Sequence, residues 1–326
     1  MGEQVEKIII TGGSGFIGTN LVQYFLDRDV KVLNYDLKSP RNKLHIKYWH
    51  RADILDREAL IKTVQEFNPD YIFHLAARTD LDGDCVEDYA ANTQGVSNVV
   101  GAAKRIFNLK RVIFASSMLV CKMGYQPKNE FDYLPSTPYG ESKIIGEKIV
   151  RAEGGDAFTW LIVRPTSIWG PWFDVPYKNF FTAVMKGHYF HPKGLEVKRS
   201  YGFVLNAVHE LVKLASCPNK ELVHSKTFYL ADYEPIDLKT WGVMIQKASN
   251  SRKITEVPVA VFVVAAKLGD FLKRLGYSSP PMTTFRFNNM RTNAVFDMDE
   301  VKALCGDLPC SVREGVEYTV DWMKQL

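Results

Sequence analysis

Cysteine is scarce in this 326-residue chain. Cys85, Cys121, Cys217, Cys305 and Cys310 make five, an odd number with no CxxC pair. A disulfide framework and a thiolate zinc site are thereby set aside, and a reduced, cytoplasmic setting is expected. Long apolar runs are missing as well. The longest, Val259 to Ala266, stops at Lys267, whereas a membrane span takes about 20 residues; a buried helix is expected there, with contact to a membrane surface as the alternative. Neither sign of charge dominates. The 41 Lys and Arg face 37 Asp and Glu, a net charge of +4 with no dense basic stripe, which does not suit nucleic acid. No basic-then-apolar leader is visible, and no linker, low-complexity stretch or internal repeat divides the chain. His74 has no second ligand at useful spacing, so no metal site is expected. Apolar residues are plentiful at 46%, enough for a sizeable core.

The most informative stretch is Thr11-Gly12-Gly13-Ser14-Gly15-Phe16-Ile17-Gly18. It follows the apolar run Ile8-Ile9-Ile10 and leads into a helical pattern, Thr19 to Leu26. Buried strand, glycine turn and helix together open a dinucleotide-binding βαβ unit. Gly12 permits the tight turn, Gly15 lets the backbone approach a pyrophosphate, and Gly18 lets helix and strand pack closely. With Phe16 and Ile17 these are candidate cofactor contacts, facing phosphates with the unpaired N–H groups of the helix start. Lys31 to Asp36 reads as a second strand ending in an acid, 18 residues after Gly18. A carboxylate there is placed for the adenosine ribose hydroxyls. It would repel a 2′-phosphate, so NAD is expected over NADP, although Lys38 and Arg41 stand close behind.

Strand and helix patterns then alternate. Asp56 caps a helix running to Phe67; Tyr71 to Leu75 is a strand; Asp88 to Phe107 reads as one long helix; Arg111 to Ala115 is a strand; Pro138 to Arg151 is helical; and Phe158 to Val163 completes the series. Alternating elements with near-continuous apolar strands predict an α/β, doubly wound parallel sheet of the Rossmann kind. Past Arg164-Pro165 the rhythm changes, with aromatics, proline and glycine crowding Trp169 to Phe173. Residues 1–165 are expected to bind NAD, and residues 166–326 to form a smaller, partly helical substrate region interleaved with the first. Capping boxes are expected at Ser311/Glu314 and at Asp297/Glu300.

Tyr139 and Lys143 lie four apart in Tyr-Gly-Glu-Ser-Lys, so a helix places them on one face, about 5–6 Å apart. A phenol has a reference pKa of about 10. Lowering it to about 7 takes roughly 4 kcal/mol, which an ammonium and the positive nicotinamide ring can supply in a dry cleft. Ser116 and Ser117 end the Arg111–Ala115 strand at its carboxyl edge, where ligands bind in such sheets.

These elements together resemble the extended short-chain dehydrogenase/reductase family, the NAD-dependent epimerase/dehydratase group. The resemblance rests on residues 11–18, Asp36, Asp53-Ile54, His74-Leu75-Ala76-Ala77, Asn92, Ser116-Ser117, Tyr139 to Lys143 and Arg164-Pro165-Thr166-Ser167. It implies adenine contacts from Asp53 and Ile54, and ribose and pyrophosphate contacts from Leu75, Ala76 and Ala77. Asn92 would support the helix carrying the catalytic pair, and Pro165 would touch the cofactor. Counting back from Val120-Cys121, where the family has Val-Tyr, assigns the catalytic hydroxyl to Ser117. Tyr139 would then be the acid/base, Ser117 the oxygen holder, and Lys143 the group that binds the nicotinamide ribose.

Met118 and Leu119 stand where family dehydratases carry an acid pair. Neither moves a proton, so elimination is disfavoured, and oxidoreduction or epimerisation through a ketone remains. Cys85 and Cys121 are expected to be structural. Arg199 to Asn206 resembles the segment whose arginine grips the diphosphate of a nucleotide-sugar, with Ser167 a second substrate contact. That makes an epimerase or oxidoreductase of nucleotide-activated sugars the first expectation. Two departures stand against it: the family has Asp where Asn206 stands and often Asn where Ser167 stands. The stretch from Lys267 to Arg291 is similar to sterol-type dehydrogenases, which makes a 3β-hydroxysteroid-type or other small-alcohol dehydrogenase the alternative. A non-catalytic dinucleotide sensor or scaffold is a further reading, opposed by the retained Tyr139 and Lys143. A homodimer through the helices at Asp88 and Tyr139 is implied by the resemblance.

Overall fold

The computed structural model describes residues 6–277, 280 and 282–326. In chain order, β1 (Lys7–Thr11), α1 (Phe16–Leu26), β2 (Lys31–Asp36), β3 (Trp49–Arg51), α2 (Arg57–Phe67), β4 (Tyr71–His74), α3 (Gln94–Ala103), β5 (Arg111–Ala115), α4 (Pro138–Gly154) and β6 (Trp160–Pro165) build the first half. A seventh strand, Thr227–Leu230, joins from the second half, giving the sheet order Thr227–Leu230, β6, β5, β4, β1, β2, β3 with every pairing parallel. The order reverses between β1 and β4. Crossovers there leave towards opposite faces and open a crevice at the carboxyl edge. The expected doubly wound architecture is present. The strands Trp49–Arg51 and Thr227–Leu230 were not foreseen: both are short edge strands, and the pattern of β3 is largely polar.

Both faces of the sheet are covered. Ile8, Ile10, Val163 and Phe228 pack with Leu21, Leu211 and Val301 on one side; Ile9, Ile72, Val112 and Trp160 pack with Leu60, Val99 and Val150 on the other. Caps fix the helix entries. Asp56 accepts from the Ala59 amide, and Thr137 accepts from the Gly140 amide at 3.1 Å, with Pro138 at the first position of α4. The expected long helix from Asp88 to Phe107 is broken. Residues Val86–Asn92 form a kinked 3-10 segment with Tyr89 at φ −109°, ψ 38°, and α3 starts afresh at Gln94. The cause is side-chain competition for backbone partners: Tyr89 Oη donates to the Asp80 carbonyl, and Asn92 reaches back to Arg78.

The second half carries α5 (Tyr177–Met185), α6 (Val204–Ser216), α7 (Leu238–Ser249), α8 (Val259–Arg274), α9 (Thr284–Met290), α10 (Asp299–Cys305) and α11 (Val312–Lys324). An aromatic core centred on Trp169 and Trp241 holds it together, with ring centroids 5.1 Å apart for Trp169–Phe203 and 4.2 Å apart for Tyr201–Trp241. Ser311 and Glu314 form the expected capping box of α11. Asp297 and Glu300 do not form one: α10 begins at Asp299, Asp297 takes the Asp299 amide, and Glu300 pairs with Lys226 at 2.8 Å. The Val259–Ala266 run also differs from expectation. It belongs to α8, whose only fully packed positions are Phe262, Ala266 and Gly269, because the short α9 covers just one face. Among the described residues, no helix is long and apolar enough to cross a membrane.

Candidate active site

The crevice at the carboxyl edge is a cleft of about 830 Å³. Its floor begins with the β1–α1 loop. Gly12 sits at φ +74°, and a Cβ there would lie 2.5 Å from the Ala76 amide nitrogen. A Cβ on Gly18 would lie 2.2 Å from the Gly12 carbonyl. Both positions therefore demand glycine, and α1 seats close under β1. Gly15 caps α1 without a side chain, and no acid stands in the first turn. The first N–H groups of α1 thus remain available to an anion where Gly15, Phe16 and Ile17 line the cleft.

Asp36, at the end of β2, accepts from the Ser14 amide at 3.0 Å and from the Lys38 amide at 2.8 Å. Arg41 is drawn across the cleft rim to the Trp172 carbonyl (2.7 Å) and the Asp174 carboxylate (2.5 Å). With Arg41 so engaged, the acid dominates the ribose end. Asp53 accepts from the Leu55 amide, and Asn98 pins the Ile54 carbonyl at 2.9 Å. Leu75, Ala76 and Ala77 form the wall after β4. Behind them His74 is fully buried, bonded to Thr11 Oγ1 at 2.7 Å. Burial, helped by the Lys143 ammonium, pushes its pKa down to about 3, so the ring is a neutral strut.

Tyr139 and Lys143 lie one turn apart on α4, both buried, and both line the cleft with Ser117 and Pro165. Ser117 Oγ neighbours the Tyr139 phenol and accepts from the Leu119 amide at 3.1 Å, whereas the Ser116 hydroxyl is spent on Glu147 at 2.6 Å. Lys143 Nζ donates to the Ala115 carbonyl at 3.0 Å and stands 6.0 Å from the centre of the Tyr139 ring. Burial raises the Tyr139 pKa above that of an ordinary phenol; Ser117 works against the rise and Tyr89 adds to it. Burial also lowers Lys143 to about 8, with Glu147 opposing. A phenolate at Tyr139 therefore needs more positive charge than the chain alone supplies.

Asn92 is not on the cleft surface. Its side chain donates to the Arg78 carbonyl (2.9 Å) and Ser142 Oγ (3.0 Å) and accepts from the Arg78 amide, while Ser142 Oγ donates to the Tyr139 carbonyl. It ties the cleft wall to the helix that carries the pair.

A sequence model of the NAD dependent epimerase/dehydratase family matches residues 8–223. The chain belongs to that family. Among curated relatives, a 3 beta-hydroxysteroid dehydrogenase/Delta 5-->4-isomerase of Mycobacterium tuberculosis is 29% identical over 275 residues, covering 76% of this chain and 71% of that one. A decarboxylating sterol-4-alpha-carboxylate 3-dehydrogenase of Candida albicans is 23% identical over 100% of this chain and 99% of that one. Among solved structures, UDP-glucuronic acid 4-epimerase from Bacillus cereus in complex with NAD superposes with a TM-score of 0.76 at 20% identity, covering 98% and 97% of the two chains. This family member is an enzyme of the extended short-chain type, and its cofactor is NAD. The residues present fit NAD: a glycine cradle at Gly12 and Gly18 that a Cβ would fill, an uncapped helix start, and an acid, Asp36, held at the ribose end beside the exposed Lys38.

Two expected substrate residues lie off the cleft lining of this epimerase/dehydratase family member. Ser167 is buried, and its hydroxyl accepts from Tyr177 at 2.5 Å. Arg199 turns its guanidinium to the carbonyls of Thr292 (3.2 Å) and Asn289. Asn206 is buried against Asp232, at 2.7 Å. The cleft wall on this side is instead Ile168, Phe173, Val175, Pro176 and Tyr177. Cys121 is buried and donates to the Asp132 carbonyl, Cys85 is exposed, and neither lines the cleft. Sequence reasoning missed Glu147, which stands one turn beyond Lys143 and pairs with the buried Arg164. Its only signal was an acid on the inward face of a helix.

Proposed function

We propose that this chain is an NAD-dependent oxidoreductase acting on a secondary hydroxyl, or the corresponding ketone, of a largely apolar ring substrate of the hydroxysteroid class. The mostly apolar lining of Ile168, Phe173, Val175, Pro176 and Tyr177, with Asp174 drawn to Arg41, carries the substrate choice. It is supported by the retreat of Arg199 to backbone carbonyls. In the oxidative direction Tyr139 Oη takes the proton of the substrate hydroxyl. Ser117 Oγ hydrogen-bonds the same oxygen and keeps it in reach of the phenol. Lys143, fixed by the Ala115 carbonyl, supplies positive charge beneath the phenol and a donor for the nicotinamide ribose. Bound NAD supplies the hydride acceptor, C4 of its positively charged nicotinamide ring. Met118 and Leu119 offer no acid for elimination, and in this reading the ketone leaves as product.

Purified chain is incubated with NAD and a 3β-hydroxysteroid, and separately with UDP-glucose or UDP-glucuronate. NADH absorbance is expected to rise with the steroid alone. Conversion of a sugar to its 4-epimer without net NADH, with the steroid inert, would overturn the proposal in favour of the nucleotide-sugar reading. Pairing of two copies through α3 and α4 belongs to the same proposal and is read by sedimentation velocity.

A further inference from the structure

Helix α8 is built against the usual rule for a surface helix. Its buried side is narrow, with Phe262 stacked on Phe287 of α9 at a ring-centroid distance of 5.7 Å and Ala266 and Gly269 alongside. On the outward side Val261, Val264, Leu268, Phe271 and Leu275 are each between 53% and 69% exposed. Their spacing alternates three and four residues, so they form one continuous stripe along the helix. Isolated apolar residues on a surface are ordinary, but a contiguous stripe four turns long is not.

The charges around this stripe say what covers it. Residues 252–291 contain seven Lys and Arg against two acids, a net charge of +5, while the whole chain carries +4. Two of these cations, Lys267 and Arg274, flank the stripe. Lys267, Lys273 and Arg274 are exposed on the helix itself. Its single acid, Asp270, is spent inward on the Thr284 amide of α9 at 3.1 Å. Glu256, the other acid of the segment, pairs with Lys239 at 2.6 Å. A second copy of α8 laid against this face would bring cations to cations with no carboxylate to receive them, which opposes a helix pair. An apolar stripe flanked along one side by Lys267 and Arg274 matches a surface of acyl chains beneath anionic headgroups.

We infer that the outward face of α8 docks the enzyme on the anionic surface of a lipid bilayer, with the stripe entering the headgroup boundary and Lys267 and Arg274, on its flank, reaching the phosphates. The helix lies in the plane of the membrane and does not span it. The α9 end of this hairpin supplies the carbonyls that hold Arg199. The inference stands independently of which substrate is turned over.

The test is co-sedimentation of the full chain with phosphatidylglycerol-containing vesicles and with pure phosphatidylcholine vesicles, beside sedimentation velocity without lipid. Wild type should pellet with the anionic vesicles and bind the neutral ones on the order of a hundredfold more weakly. Val264→Glu with Phe271→Glu should abolish binding to both. Lys267→Glu with Arg274→Glu should reduce binding to the anionic vesicles by at least about tenfold. NADH binding and the melting temperature serve as fold controls, since none of these four residues lines the cleft. The inference is overturned if wild type stays in the supernatant with anionic vesicles, or if the stripe variant binds as wild type does. It is equally overturned if wild type ignores lipid and the stripe variant lowers the oligomeric state, which would make the stripe a contact between copies.

Discussion

Glu147 and Arg164 grip each other through two hydrogen bonds of 2.8 Å, with both side chains 1% exposed. The same carboxylate accepts from Ser116 at 2.6 Å and Tyr133 at 2.8 Å. It thereby joins the strand end carrying Ser117, the helix carrying Lys143 and strand β6. Removing one partner leaves a buried charge unpaired. Glu147→Ala should therefore cost about 3–5 kcal/mol of stability, read by urea unfolding. Replacing the pair together, Glu147→Leu with Arg164→Met, should recover most of that loss. If the single substitution is silent, the pair is not holding the layers together.

Tyr139 and Ser117 set the pH response of turnover. The phenol is raised by burial, and the neighbouring Ser117 hydroxyl pulls it back. Tyr139→Phe should lower kcat by about 10²–10⁴-fold while the affinity for NADH changes little. In the oxidative direction kcat/KM should rise with pH as the phenol ionises. Ser117→Ala should move that rise to higher pH as well as lowering its plateau, because the group that favours the phenolate is gone. A profile unmoved by Ser117→Ala would remove Ser117 from contact with the acid/base.

The glycine loop, Asp36 and the four-residue spacing of Tyr139 and Lys143 were legible in the sequence because each is a local pattern dictated by backbone geometry. The sheet was legible for the same reason: β1, β2, β4, β5 and β6 are apolar runs. What escaped depends on partners distant in sequence. The helix expected from Asp88 to Phe107 breaks because Asn92 and Tyr89 prefer carbonyls in the 78–80 segment. Glu147 acquires meaning only once Arg164, Ser116 and Tyr133 converge on it. The direction of Arg199 is set by carbonyls some 90 residues later, which no local pattern encodes. The α8 run looked like core because its composition is apolar all round; only the shortness of α9 leaves one side uncovered.

Asp232 supplies the carboxylate that Asn206 lacks, accepting from Asn206 Nδ2 at 2.7 Å and from the Phe203 amide at 3.1 Å through one oxygen. The other oxygen has no partner among the described residues. Burial raises its pKa from the usual carboxylate value to about 6. Between pH 4 and 6 the folded chain holds a proton that the unfolded chain has released, so stability falls as pH rises through that window and stays lower above it. Asp232→Asn keeps the accepting oxygen and removes the charge. It should raise stability at pH 7 by about 1–3 kcal/mol and reduce the wild-type slope between pH 4 and 6, leaving the part carried by the buried Glu210, as measured by chemical unfolding across pH. A variant less stable than wild type at pH 7 would show that the ionised group is needed.

Cofactor preference rests on two charges at the ribose end. Asp36 holds its carboxylate in the cleft through the Ser14 and Lys38 amides, and Arg41 is kept from that end by Asp174. A 2′-phosphate would meet the first charge and lack the second, leaving the exposed Lys38 as the cation in reach on the cleft lining. Asp36→Ser removes the repulsion; adding Asp174→Ala releases Arg41, whose forked donors suit a phosphate. The double variant should shift the NADPH-to-NADH affinity ratio by at least about tenfold towards NADPH, about 1.4 kcal/mol, with the single Asp36→Ser change giving part of it. Fluorescence titration with the two reduced dinucleotides gives both affinities directly. An unchanged ratio in the double variant would mean that shape, and not charge, selects NAD at this end of the cleft.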